Sequence, residues 1–170
     1  KMICVAYEGM EKFFPAEKLK LTGNPVRMNL MARKSNREEC AAAMGLDPAK
    51  KTILLVGGSL GARSMNESMI NSLQQIAANP DVQFVWQTGK YYYNEIVARV
   101  KDAGKPDNLT ITDFVSDMAS ALGVADLVIS RAGAGSISEF ALLALLFCGR
   151  HRLVHRSTPP HLMGFGLAVA

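Results

Sequence analysis

The chain has 170 residues, 49% of them apolar and 20% charged, and a formal net charge of +4. That size suits one domain with a substantial core, the composition is that of a globular protein, and no apolar run approaches the roughly 18 residues needed to cross a bilayer. Arg150, Arg152 and Arg156 contribute three of the positive charges in a stretch without acidic residues, so residues 1–140 are close to neutral and lack the broad basic surface of a nucleic-acid binder.

Cys4, Cys40 and Cys148 have no CxxC spacing and cannot all pair, which fits a reducing compartment and packing roles. Lys1-Met2 leads straight into an apolar segment with no signal-peptide pattern, and this start reads as an artificial boundary.

A strand is predicted at Ile3 to Tyr7 and a short second one at Lys18 to Thr22, before the turn Gly23-Asn24-Pro25. A helix follows from about Arg37 to Met44. Ser35 or Asn36 is placed to cap it, glutamates occupy its first turn, and Gly45 stops it. After the break at Asp47-Pro48, Thr52 to Val56 reads as a buried strand. Ala62 to Ala78 carries Met65, Met69, Leu73 and Ile76 at helical spacing. Val82 to Gln87 is the next strand, and Tyr92 to Ala103 the next helix, with Ile96, Val97 and Val100 on one face. Leu109 to Thr112, a short helix at Asp117 to Leu122, and a strand at Asp126 to Ser130 complete the series. The methionines and Tyr91-Tyr92-Tyr93 read as core and helix-face packing. Strands separated by helical crossovers predict an α/β protein, a Rossmann-like parallel sheet with helices on both faces.

Such sheets bind ligands beyond the carboxyl ends of their strands. Two glycine-bearing loops fall there: Gly57-Gly58-Ser59-Leu60-Gly61-Ala62, and Gly133-Ala134-Gly135 after the last strand. Neither completes GxGxxG, and there is no GxxxxGK[ST] loop, which disfavours NAD and ATP. The strand, turn and helix from Ile129 to Glu139 are suited to an anion, because N–H groups at a helix start have no helical partners and the dipole adds positive charge. Arg131 adds a full charge, and Glu139, one turn into the helix, suits ribose hydroxyls; together they point to a nucleotide. His151 and His155 have i, i+4 spacing, but with His161 they complete no known metal pattern, so no metal or cofactor is expected.

Four segments, Gly23 to Arg27, Gly57 to Arg63, Thr112 to Met118 and Ser130 to Glu139, resemble in order and spacing the C-terminal half of the MurG family of UDP-N-acetylglucosamine transferases. The resemblance covers roughly residues 3 to 140. It implies a GT-B fold, two Rossmann-like domains across a cleft. Residues 1–24 would be the last strand of the first domain and the linker, residues 25–147 the UDP-sugar-binding domain, and residues 148–170 an atypical tail. It further implies inverting transfer of N-acetylglucosamine from UDP-N-acetylglucosamine to lipid I, giving lipid II on the cytoplasmic face of the inner membrane.

Carried over by position, Arg27 and Ser59 look like donor contacts and the Val115 backbone like the uracil contact. Ala134, Gly135 and Ser136 would face the diphosphate, Ile137 and Ser138 lie in the segment that wraps the nucleotide, and Glu139 would bind the ribose. The resemblance puts the catalytic base and the lipid I site in the half not contained here, so this chain alone is expected to be inactive. Two other readings stay open: a transferase using another UDP-sugar and lipid acceptor, and a non-catalytic nucleotide-binding module.

Beyond Glu139 the family continues through a Gly-x-Pro turn to a His-Gln-x-x-Asn-Ala segment whose glutamine contacts the donor sugar. This chain instead runs Phe147-Cys148-Gly149-Arg150-His151-Arg152 and on to Pro159-Pro160-His161. A shifted frame or truncation from about Ala141 is expected, with an incomplete sheet and a loosely packed end at residues 148–170.

Overall fold

A computed structural model describes residues 1–25, 36–131 and 138–139, and the backbone of 152–157 and 164–168. At the start, β1 (Ile3–Val5) and β2 (Leu19–Leu21) pair in parallel as a two-stranded sheet of their own. Helix α1 (Arg37–Met44) has the predicted ends. Asn36 accepts a hydrogen bond from the Glu38 N–H at 2.9 Å, and Gly45, at φ +65°, adopts the left-handed geometry that returns its N–H to the Ala41 and Ala42 carbonyls.

The main sheet contains β3 (Lys51–Val56), β4 (Val82–Gln87), β5 (Leu109–Thr112) and β6 (Leu127–Arg131), all parallel. Two strands absent from the sequence reading extend it: β7 (Arg152–Ser157) runs parallel to β6, and β8 (Gly164–Ala168) antiparallel to β7. The loose end expected there therefore does not describe these two segments. The exposed edge of β6 offers unpaired backbone groups to any extended chain, whatever its side chains, so family sequence is not needed for the pairing.

The strand order is β5-β4-β3-β6-β7-β8. From β3 the chain steps outward through β4 to β5, then returns to place β6 on the other side of β3. Connections on either side of β3 thus diverge, and this reversal opens a crevice at the carboxyl ends of β3 and β6.

Alternation along the strands divides the core. One layer joins Leu54, Val56, Val85 and Val128 to Met118, Ala121 and Leu122 of α5 (Met118–Val124). The opposite layer joins Leu55 and Trp86 to Met69 of α2 (Arg63–Asn71), Leu73 and Ile76 of α3 (Leu73–Ala77), and Ile96 and Val100 of α4 (Tyr93–Asp102). Helices on both faces are what the spacing predicted.

Three details differ from the sequence reading. The single helix expected over residues 62–78 is divided at Ser72, where the hydroxyls of Ser68 and Ser72 bond back to the Ser64 and Ser68 carbonyls and compete with the helical ladder. Tyr91 is 80% exposed rather than packed, standing edge-on to Tyr92 in the turn before α4. Val97 lies at the rim of its helix face, 36% exposed.

At the amino edge of the sheet, Asp126 joins three elements. Its carboxylate accepts hydrogen bonds from the Thr52 N–H at 2.9 Å, Arg37 at 3.0 Å and Lys51 at 3.1 Å. Arg37 also donates to the carbonyls of Val124, at the end of the helix before β6, and of Lys50, just before β3, tying α1 to both approaches. Burial acts to raise the Asp126 pKa, but these donors outweigh it and hold the carboxyl below its ordinary value. Because the folded value is the lower one, the contribution to stability is complete above the unfolded value of about 3.9 and disappears as pH falls through the folded value. Asp126→Asn is accordingly expected to cost about 1–2 kcal/mol at neutral pH. In urea unfolding, the gap from the unsubstituted chain should narrow as pH falls below the ordinary carboxylate range and through the lowered Asp126 value; a gap independent of pH would contradict this account.

Candidate functional site

The parallel register sets the carboxyl ends of the strands at one level: Val56 lies opposite both Gln87 and Ser130, and Gln87 opposite Thr112. Loops leaving β3, β4, β5 and β6 therefore start side by side along one edge.

The β3 loop is shaped by contact with the β4 loop. Gly58, Gly61 and Gly89 have φ of +87°, +85° and +85°, a region that side chains rarely adopt. A Cβ on Gly61 would collide with the Thr88 carbonyl oxygen, and one on Gly89 with the backbone of Gly61. The glycines thus serve close backbone approach, with the Gly61 N–H closing a turn onto the Gly58 carbonyl at 2.9 Å. Beneath them Asn66, 1% exposed, accepts from the Trp86 indole at 3.0 Å and donates to the Thr88 carbonyl at 3.0 Å.

Ser59 is exposed on this loop, three residues before Ala62, the cap position of α2, which supplies no side-chain cap. On the β5 loop, the Thr112 hydroxyl donates to the Phe114 carbonyl at 2.8 Å, and Asp117 caps α5 through the Ser120 N–H at 3.0 Å. Between them Val115 is only 4% exposed, within the α5 layer of the core, and its backbone makes no hydrogen bond to another described residue. Phe114 beside it is 45% exposed, with the Lys90 ammonium 5.7 Å from the ring centre.

Arg131 is exposed at the end of β6. Ser138 is half-buried and Glu139 is 9% exposed; both are helical. Asn24, from the segment after β2, donates to the Ser138 hydroxyl at 2.9 Å and to the Tyr7 hydroxyl at 2.9 Å, so the β6 side of the site is fastened to the small sheet. Of the site residues expected from sequence, Arg27, Ala134, Gly135, Ser136 and Ile137 lie outside the described residues. Ser59 and Val115 lie in the loops that leave the carboxyl ends of β3 and β5, and Ser138 and Glu139 follow β6 in the chain. Among the described residues, no group of three or more His, Cys, Asp or Glu is arranged to hold a metal.

Sequence reasoning missed Asn66 and Gln87. Gln87, 2% exposed, donates through its amide nitrogen to the Gly58 carbonyl at 2.8 Å and to the Asp113 carbonyl at 3.0 Å. Its only sequence signal was a polar residue at the end of a largely apolar strand that also carries Gln83.

Two substitutions test this geometry. Gly61→Ala is expected to lose about 2–3 kcal/mol, from the positive φ and the collision with Thr88. Asn66→Leu strands a buried indole N–H and a carbonyl and is expected to cost about 2–4 kcal/mol. Thermal unfolding measures both, and unchanged stability in either variant would contradict the packing described.

Comparison with known proteins adds family information. The family model described as glycosyltransferase family 28 C-terminal domain matches residues 52–147. A Bacteroides fragilis protein named UDP-N-acetylglucosamine--N-acetylmuramyl-(pentapeptide) pyrophosphoryl-undecaprenol N-acetylglucosamine transferase is 61% identical over 143 residues, which is 84% of this chain and 38% of that protein. A Halalkalibacterium halodurans protein of the same name is 38% identical, over 84% of this chain and 39% of its own. The crystal structure of Acinetobacter baumannii MurG superposes with a TM-score of 0.55 at 28% identity, covering 94% of this chain and 40% of that one. The chain thus spans well under half the length of these relatives.

Proposed function

The chain belongs to the glycosyltransferase family 28 C-terminal domain family, and from that membership we propose that it is the UDP-N-acetylglucosamine-binding part of an inverting transferase. The full-length enzyme passes N-acetylglucosamine to lipid I to form lipid II in peptidoglycan synthesis. The observation that carries the reading is the shared sheet edge. The Ser59 loop, the Val115 loop and the buried Glu139 occupy the ends of β3, β5 and the segment after β6, around a point where strand order reverses.

In this reading Glu139 accepts hydrogen bonds from the ribose hydroxyls, and the Val115 main chain meets the uracil edge. Ser59 and the segment Ala134 to Ser136 take the diphosphate, Ile137 and Ser138 lie in the segment that wraps the nucleotide, and Arg27 is a further donor contact. As the sugar leaves, negative charge grows on the diphosphate, and fixed N–H groups and arginine stabilise it more in the transition state than before. No metal or cofactor enters this scheme. The base that activates the acceptor hydroxyl, and the lipid I site, belong to the other domain of the enzyme, so this chain binds donor without turning it over.

Residues 1–24 are assigned to the preceding domain and linker, a division supported by the separate β1–β2 sheet, and residues 25–147 to the donor domain. Residues 148–170 are assigned as sequence foreign to the family through a shifted frame. A gene whose other frames contain no His-Gln-x-x-Asn-Ala segment past codon 141 would refute that assignment. Among the described residues no helix is long and apolar enough to cross a membrane, and the full-length enzyme is assigned to the cytoplasmic face of the inner membrane as a peripheral protein, with no nucleic-acid partner.

Calorimetric titration tests the donor site. UDP and UDP-N-acetylglucosamine are expected to bind weakly and NAD not at all, and Glu139→Ala should weaken UDP binding about tenfold or more through loss of a charged hydrogen-bond acceptor. A folded sample that ignores UDP, or prefers NAD, would defeat the proposal.

A further inference from the structure

Strand β4 carries two buried glutamines on the same face, Gln83 near its start and Gln87 at its end, 6% and 2% exposed. Gln83 is fully engaged. Its amide oxygen accepts from the Asp47 N–H at 3.1 Å, and its nitrogen donates to the Asp47 carbonyl at 2.7 Å and the Thr52 hydroxyl at 2.9 Å. Gln87 uses both N–H groups on carbonyls, those of Gly58 and Asp113, and its buried amide oxygen has no partner among the described residues.

The orientation of that amide is set by its neighbours. Turning it over would direct its oxygen at two carbonyl oxygens and lose both hydrogen bonds. An unpaired buried acceptor is unfavourable, because its lost hydration is not offset by a hydrogen bond. The fold avoids it in Gln83 at the amino edge and retains it in Gln87, one residue before the loops that form the candidate site.

We propose that Gln87 is a positioning residue that locks the Ser59 loop to the Val115 loop, so that the diphosphate and uracil contacts are held at a fixed separation before donor arrives. This rests on the donor-site reading above. Gly58 is adjacent to Ser59, and Asp113 lies two residues before Val115, so one amide bridges the two loops across the end of β4. A ligand that touches both loops gains from the bridge, because the ordering is already present; a ligand that touches one gains little. Leucine or methionine would fill the volume without bridging, glutamate would oppose two carbonyls with a carboxylate, and asparagine is one methylene short of spanning them.

The test compares uridine, which reaches the Val115 loop, with UDP, which reaches both, in calorimetric titrations of the intact chain and of Gln87→Met, Gln87→Asn and Gln83→Met. For Gln87→Met, UDP affinity is expected to fall about tenfold and uridine affinity less than threefold. Gln83→Met, which loses an amide on the same strand face away from the site, should lower stability and leave the UDP-to-uridine ratio unchanged. Gln87→Asn carries the same expectation as Gln87→Met and serves if the methionine variant does not fold.

A second measurement needs no ligand. Backbone amide exchange in Gln87→Met should quicken at Gly61 and Thr88, whose N–H groups bond to the Gly58 and Thr112 carbonyls, but not within β3. An unchanged affinity ratio, or a ratio that Gln83→Met lowers equally, overturns the positioning role; unchanged exchange overturns the lock itself. If the unsubstituted chain binds no UDP, the donor-site reading fails and the positioning role with it, whereas exchange still reports whether the two loops are joined.

Discussion

The structure depends on β3 being paired on both sides, with β4 on one flank and β6 on the other. Leu54 and Leu55, 0% and 5% exposed, point into opposite core layers and so require helices on both faces. That double burial dictates the apolar run from Ile53 to Val56, which no amphipathic surface strand would tolerate. It also dictates the crevice, because the two neighbours of β3 belong to chain segments that approach it from opposite directions.

Polar groups fix what apolar burial leaves loose. Hydrophobic packing is indifferent to small sliding of one strand along another, whereas a buried hydrogen bond is not. Asp126 and Arg37 pin the amino edge, linking α1 to β3 and to the start of β6. Asn66 fastens α2 beneath the carboxyl edge by holding the Trp86 indole and the Thr88 carbonyl together. On the outer surface Glu67 and Arg99 join α2 to α4; the hydrogen bond from Arg99 holds the Glu67 carboxyl below its usual range and is matched by a raised Arg99. That pair is exposed and adds little to stability.

Element positions were readable because the chain is locally consistent. Asn36 and Gly45 mark both ends of α1, and Val82 to Gln87 and Leu109 to Thr112 are strands with the predicted bounds. The division at Ser72 was not readable, since serines within a helical pattern reveal their carbonyl bonding only in three dimensions. Nor was the pairing of residues 152–157 with β6, which is made by backbone groups that every sequence carries. In the candidate site, the glycines and Glu139 announced themselves by motif. Asn66 and Gln87 did not, because their significance lies in partners 20 to 29 residues away in the chain.

The site's chemistry explains this uneven legibility. The proposed nucleotide diphosphate site would work mainly through N–H groups on loops that approach one another closely, and that close approach demands glycine at positive φ, which leaves a visible string such as Gly57 to Gly61. Backbone groups, unlike long side chains, cannot adjust by rotating, and their aim is only as accurate as the loops that carry them. The accuracy must come from side chains one layer below, where an amide or an indole is held at fixed distance from a carbonyl. Those side chains carry no chemistry of their own and are free to differ in type wherever another pair of donors spans the same gap. A donor site of the proposed kind therefore has a conspicuous surface and an inconspicuous foundation, and the proposal puts that foundation at the end of β4.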